Sequence, residues 1–129
     1  MQSARIWREI PQRYRLEAGR CAGCGKVYYP PRRVCAECHG REFENVRLPP
    51  TGKVATFTVI RVAAANFVSQ IPMIVGIVEL DDGTRIMCQV VDVEVEDVDI
   101  GMPVRLEFRK IQQDGVSGVI SYGHKAVPA

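Results

Sequence analysis

A chain of 129 residues with 17 Lys/Arg, 15 Asp/Glu and five cysteines fits one ordinary domain, or a small metal-stapled module joined to a domain of about 80 residues. Four metal-bound thiolates around a divalent ion add −2 to the formal +2, which brings the metallated chain near neutrality and argues against a strongly electrostatic partner for the whole molecule. No apolar run approaches the roughly 20 residues that cross a bilayer, and the basic N-terminus lacks a signal-peptide core, so the sequence predicts a cytoplasmic protein with no membrane segment.

The charge is unevenly spread. Residues 1–47 hold ten Lys/Arg against five Asp/Glu, and residues 48–129 hold seven against ten. This shift favours two parts over one. Residues 4–10 predict one or two helical turns with Ile6, Trp7 and Ile10 on one side, closed by Pro11. So short a helix is marginal in water, and Trp7, the only tryptophan, either folds back on its own domain or anchors a partner protein. Residues 13–20 alternate and predict a strand.

That strand leads into Cys21-Ala-Gly-Cys24, and a second pair follows at Cys35-Ala-Glu-Cys38. Each C-x-x-C turn aims two sulfurs at one point, as tetrahedral Zn²⁺ requires, and a reducing compartment favours metal over disulfides. Exported, the same four cysteines would have three possible pairings. Gly23 and Gly25 permit the tight first turn. Residues 26–29 predict the return strand, and Pro30-Pro31 stiffens the approach to the second knuckle. His39 is an alternative ligand to Cys38, although two symmetrical thiolate pairs favour the cysteine. Residues 42–48 predict a further strand, and Pro49-Pro50-Thr51-Gly52 marks a boundary. The expected organisation is a short helix over 1–12, a rubredoxin-like zinc ribbon over 13–48 and an all-β half over 49–129.

In that half, residues 53–62 predict one long strand. Residues 63–72 read as a loop too apolar for ordinary solvation. Residues 73–80 and 84–91 flank the hairpin signal Asp81-Asp82-Gly83, and Gly76 marks a bulge or sharp coil. Cys88 alternates with Ile86 and Val90, as a buried core thiol would. The acidic stretch 92–99 predicts a solvated edge with Val91, Val93 and Val95 inward. Val104, Leu106 and Phe108 alternate as a strand, Asp114-Gly115 turns, and residues 116–122 predict the last strand. The fold class is therefore all-β: a zinc ribbon followed by a five-stranded OB-fold barrel, with an SH3-like barrel as the alternative.

Four thiolates close the coordination shell, so the zinc reads as structural and not catalytic. His124, with Lys125, Ser121 and Tyr122 nearby, makes only a weak constellation. Nucleic acid binding needs aromatic platforms and a basic groove on the second and third barrel strands. Residues 73–91 contain no Phe, Tyr or Trp and a single Arg, which counts against it; the arginines of the first half keep it as an alternative.

Tyr14-Arg15-Leu16, the C-x-x-C-G knuckle, Tyr28 with Pro30-Pro31-Arg32, Cys35 and Cys38, and Gly52-Lys53-Val54 resemble the zinc-ribbon and OB-fold proteins associated with acyl-CoA enzymes. Closest are the short archaeal-type members that accompany acetoacetyl-CoA thiolase and hydroxymethylglutaryl-CoA (HMG-CoA) synthase of the mevalonate route. The resemblance implies a non-catalytic scaffold that holds thiolase-fold partners while acyl-CoA passes between them. On this reading Trp7, Tyr28, Tyr29 and Phe67 are partner anchors, Arg32 and Arg33 are candidates for CoA phosphates, and segment 63–72 lies against a partner or an acyl passage. A subunit of an acyl-CoA hydratase-type enzyme is the enzymatic alternative.

Overall fold

The computed structural model describes residues 7–113 and 115–129; the expected roles of Ile6 and Asp114 lie outside the described residues. Helix α1 spans Ile10–Arg15 with Pro11 in its first turn. Trp7 and Arg8 are helical and Glu9 turns, in line with the expected helical turn, but the chain then winds again and Pro11 opens this second helix instead of closing the first. A proline lacks the N–H that a first helical turn leaves unpaired anyway, and its φ is already helical. Arg13 and Arg15 lie in the last turn, where the helix dipole favours cations. Leu16 ends the helix in the left-handed conformation at φ 53°, its N–H donating to the Gln12 carbonyl. The expected strand from residue 13 thus begins only at β1, Glu17–Cys21.

Strand β1 is the centre of a three-stranded antiparallel sheet between β2, Val27–Tyr28, and β3, Phe43–Arg47. Five longer strands form a closed barrel: β4 Thr51–Ile60, β5 Met73–Leu80, β6 Arg85–Val90, β7 Pro103–Gln113 and β8 Ile120–Pro128. Their order around the barrel is β4-β5-β6-β8-β7. Every neighbouring pair is antiparallel except β6 and β8, which run parallel and share one ladder position, Val90 opposite Ala126. The barrel closes through short ladders at β4–β7 and β6–β8, so parts of these strands border a seam.

Three expectations shift in detail. The register shift between β4 and β5 falls at Val54/Thr56 on β4, and Gly76 faces it from β5, where the Thr56 carbonyl would lie 2.9 Å from any added Cβ. The last strand starts at Ile120 and runs through His124 and Lys125 to Pro128; Val116 is 99% exposed in the preceding turn. Polar side chains at Ser121, His124 and Lys125 hide this strand from a search for apolar alternation, although Ser121 and Lys125 are buried. Segment 63–72 is not irregular throughout, since Ala65–Gln70 winds into a 3₁₀ helix.

Ala18 on β1, with Leu16 before β1 and Leu48 after β3, joins Val54, Val78, Leu80 and Val104 in one apolar core. The Leu48 N–H also donates to the Leu16 carbonyl at 2.9 Å. Ribbon and barrel therefore share their interior. The acidic stretch packs Val93, Val95 and Val98 on this core while Asp92 pairs with Arg109 at 2.6 Å. The Arg109 guanidinium holds the Asp92 carboxyl below its ordinary range. Among the described residues no helix is long and apolar enough to cross a membrane.

Candidate metal centre and the cleft beside it

The two knuckles are built alike. In the first, the Cys21 N–H donates to the Lys26 carbonyl at 2.8 Å and the Gly25 N–H to the Cys21 carbonyl at 2.9 Å. In the second, the Cys35 N–H donates to Gly40 at 2.9 Å and the His39 N–H to Cys35 at 3.0 Å. Backbone N–H groups of Cys24 and Gly23 point at the Cys21 sulfur, and those of Cys38 and Glu37 at the Cys35 sulfur. Lys26 and Gly40 donate likewise to Cys24 and Cys38. The tight turns predicted around Gly23 and Gly25 thus deliver amides to sulfur, and hydrogen bonds to the charged form stabilise a thiolate.

All four sulfurs lie within 4.8 Å of one another. Cys21 and Cys38 approach to 3.4 Å, as do Cys24 and Cys35. A tetrahedral zinc with Zn–S of about 2.3 Å needs sulfurs about 3.8 Å apart, so the set fits. The N–H of Cys38 and the Tyr28 hydroxyl bring the Cys35 thiol down to about 6. Cys24 receives the Lys26 N–H, yet the hydrogen bond it shares with Cys35 pushes it up to about 12. A divalent cation held by the four sulfurs would favour the thiolate form of both. The cofactor is a structural zinc held by Cys21, Cys24, Cys35 and Cys38.

His39 is not among the four grouped ligands. It occupies in the second knuckle the place that Gly25 holds in the first: φ is 60° at His39 and 79° at Gly25. Only a residue without Cβ adopts this region freely. His39→Gly is therefore expected to stabilise the protein by about 0.5 kcal/mol with unchanged zinc content. Thermal denaturation and metal analysis check this; loss of zinc would make His39 a ligand.

Tyr28 is 8% exposed, which corrects its expected place as a partner-facing anchor. Its hydroxyl lies 3.5 Å from the Cys35 sulfur and accepts the Ala36 N–H at 3.0 Å. The phenol supplies a donor to a thiolate, and that work buries it. Arg32 stacks over the same ring at 5.0 Å and is exposed, as is Arg33. Trp7 is 72% exposed.

Tyr29 and Phe67 do come together. They line a cleft of ≈ 420 Å³ with Met73, Met87, Cys88 and His124. The walls are β6 and β8 where these strands part, with α1 and the 3₁₀ helix Ala65–Gln70 alongside. Cys88 is only partly buried, and burial raises its thiol to about 11. It is packed against the core as expected, but it also faces the cleft. His124 donates Nδ1–H to the Arg13 carbonyl at 3.0 Å, which fixes the tautomer; burial pulls its pKa below 6.5. Lys125 lies 3.4 Å from the Gln70 side-chain oxygen. These two side chains pin α1 and the 3₁₀ helix onto β8. The sequence reading missed the cleft because alternation shows which way Cys88 points, not that its strand loses its neighbour there.

Comparison with known proteins follows this division. Residues 8–44 match the family model described as the ChsH2 rubredoxin-like zinc ribbon domain, and residues 45–109 match that of the ChsH2 C-terminal OB-fold domain. A "DUF35 domain-containing scaffold protein" of Methanocaldococcus jannaschii is 47% identical over 96% of this chain and 89% of its own. The benzoylsuccinyl-CoA thiolase subunit BbsA of Thauera aromatica is 33% identical over 57% of this chain and 50% of its own. The solved structure titled "Ltp2-ChsH2(DUF35) aldolase" superposes with a TM-score of 0.75 at 26% identity, covering 99% of this chain and 96% of that one.

Proposed function

Because the chain belongs to the ChsH2-type zinc-ribbon and OB-fold family, we propose that it is a non-catalytic scaffold subunit of a thiolase-fold acyl-CoA enzyme complex. Its partners on this reading are acetoacetyl-CoA thiolase and HMG-CoA synthase of the mevalonate route, between which acyl-CoA intermediates pass. One observation carries the reading: the same two-part architecture, matched over nearly the whole chain, occurs in a protein of an aldolase, and its relatives include a thiolase subunit. Those two enzymes differ in chemistry, so the shared part is suited to assembly.

The physical features agree. A structural zinc with a closed shell of four thiolates offers no open coordination position to a substrate. The β5–β6 face shows Met73, Met87 and Cys88 to the cleft, where a strand-binding OB barrel would show aromatic rings, so nucleic acid is the weaker reading. Trp7 is exposed, with the composition of an interface anchor.

Affinity capture of the tagged chain from its native cell is expected to retain a thiolase-fold enzyme. The isolated chain is expected to turn over none of acetyl-CoA, acetoacetyl-CoA and enoyl-CoA, whereas the captured complex is active. Turnover by the isolated chain overturns the scaffold reading and favours the hydratase-type alternative.

A further inference from the structure

Two seams of the barrel are short: β4 and β7 share three ladder pairs, and β6 and β8 share one. Strands β4 and β5 are joined over most of their length, as are β5 and β6, and β7 and β8. Between β6 and β8 the ladder consists of Val90 opposite Ala126, followed by the Val91 N–H donating to the Ala126 carbonyl at 2.9 Å. From that point toward their N-termini the two strands diverge, and the ≈ 420 Å³ cleft opens between Met87–Gln89 on one and Tyr122–His124 on the other. Among the described residues no further ladder pair bridges them. The inner edge of each strand thus borders the cleft along a stretch that a fully laddered barrel would close.

Two properties select an occupant. The main-chain edges on both walls ask for donors and acceptors at the spacing of a strand, which an alkyl chain lacks and a peptide has. Much of the remaining lining is apolar and soft, including Met73, Val75, Met87 and Phe67, with Met87 74% exposed, and the polar groups among it, such as Gln12, Gln89 and His124, are uncharged amides and an imidazole. The charged side chains at the cleft are Glu9 and Arg13, paired with each other at 3.3 Å. Neither is left over for a phosphate or a carboxylate, so the complementary occupant is uncharged.

We propose that the slot between β6 and β8 receives an extended, uncharged, apolar segment of the partner enzyme, which adds as a strand across the open seam. This rests on the scaffold reading and places one contact of it. Apolar side chains of the segment fill the cleft against Met73, Met87 and Phe67, and its main chain bonds to the free edges.

The test is amide hydrogen exchange on the full chain, alone and in complex with the thiolase-fold enzyme that it retains. Amides of residues 87–89 and 122–124 are expected to exchange at least about tenfold more slowly in the complex. Met87→Asp, a change at an exposed position, is expected to weaken retention about tenfold by placing a charge in a neutral slot, with zinc content and melting of the free chain unchanged. A stable complex without slowing at these amides overturns the inference and leaves the scaffold reading standing. So does native mass spectrometry that finds a small apolar molecule in the cleft. Failure to retain any thiolase-fold enzyme overturns both.

Discussion

Cys35→Ser is expected to abolish zinc binding and to unfold residues 17–47. Cys35 is fully buried, accepts the amides of Cys38 and Glu37, and meets the Tyr28 hydroxyl at 3.5 Å. Structural zinc contributes about 10–16 kcal/mol to the folding of such small modules, while the ribbon's own separate apolar cluster consists of Cys21, Tyr28 and Cys35 with Phe43 packed on it. That cluster is too small to replace the metal. Damage does not stop there, because Leu16, Ala18 and Leu48 are part of the barrel core. Metal analysis of protein purified under reducing conditions is expected to give one zinc per wild-type chain and nearly none for the variant. The barrel's melting temperature is expected to fall with it, and the same fall is expected when a chelator removes zinc from the wild type. A variant that keeps both its zinc and its melting temperature overturns the assignment.

Gly52→Ala is the second large effect. Gly52 sits at the start of β4 opposite Leu80. A Cβ at this position would lie 2.8 Å from the Leu80 Cα and against the Glu79 carbonyl oxygen. Both obstacles are backbone of the neighbouring strand, so neither rotates away, and the strands must separate at the point where β4 also pairs with β7. The cost is about 3 kcal/mol, or a fall in melting temperature of about 10 °C for a domain of this size. Gly83→Ala provides the control. Gly83 has φ of 88° with nothing within 4 Å of an added Cβ, so only backbone strain of about 1 kcal/mol remains. Equal effects of the two substitutions would show that conformation, and not contact, sets the need for Gly52.

Much of this was legible in the chain because its signals are local. Two C-x-x-C pairs fix a tetrahedral sulfur site through covalent geometry and two tight turns, and Asp81-Asp82-Gly83 fixes a hairpin. Val104, Leu106 and Phe108 showed their strand through plain alternation. The misses share another origin. Pro11 is compatible with the end of one helix or the start of the next, and the turn geometry at Leu16 decides between them. Strand β8 carries Ser121 and Lys125 as buried polar residues, tolerated because Lys125 meets Gln70 from a segment 55 positions away. Tyr28 looks like an exposed anchor until its hydroxyl is seen beside Cys35. The opening of the β6–β8 seam depends on two strands that are far apart in sequence, and no short window contains both.

The chain enters the ribbon from α1 at Leu16 and leaves it for the barrel at Leu48, and both junctions are buried, at 4% and 2% exposure. The carbonyl of one bonds the amide of the other. An unclamped junction would act as a hinge. These two, bonded to each other and buried in the shared core, set the distance between the metal knuckles and the cleft, so that the molecule behaves as a ruler of fixed length. On the scaffold reading proposed above, that stiffness is the working part: two enzymes held by one such body keep one spacing, and the metal knuckles stiffen it from within the ribbon.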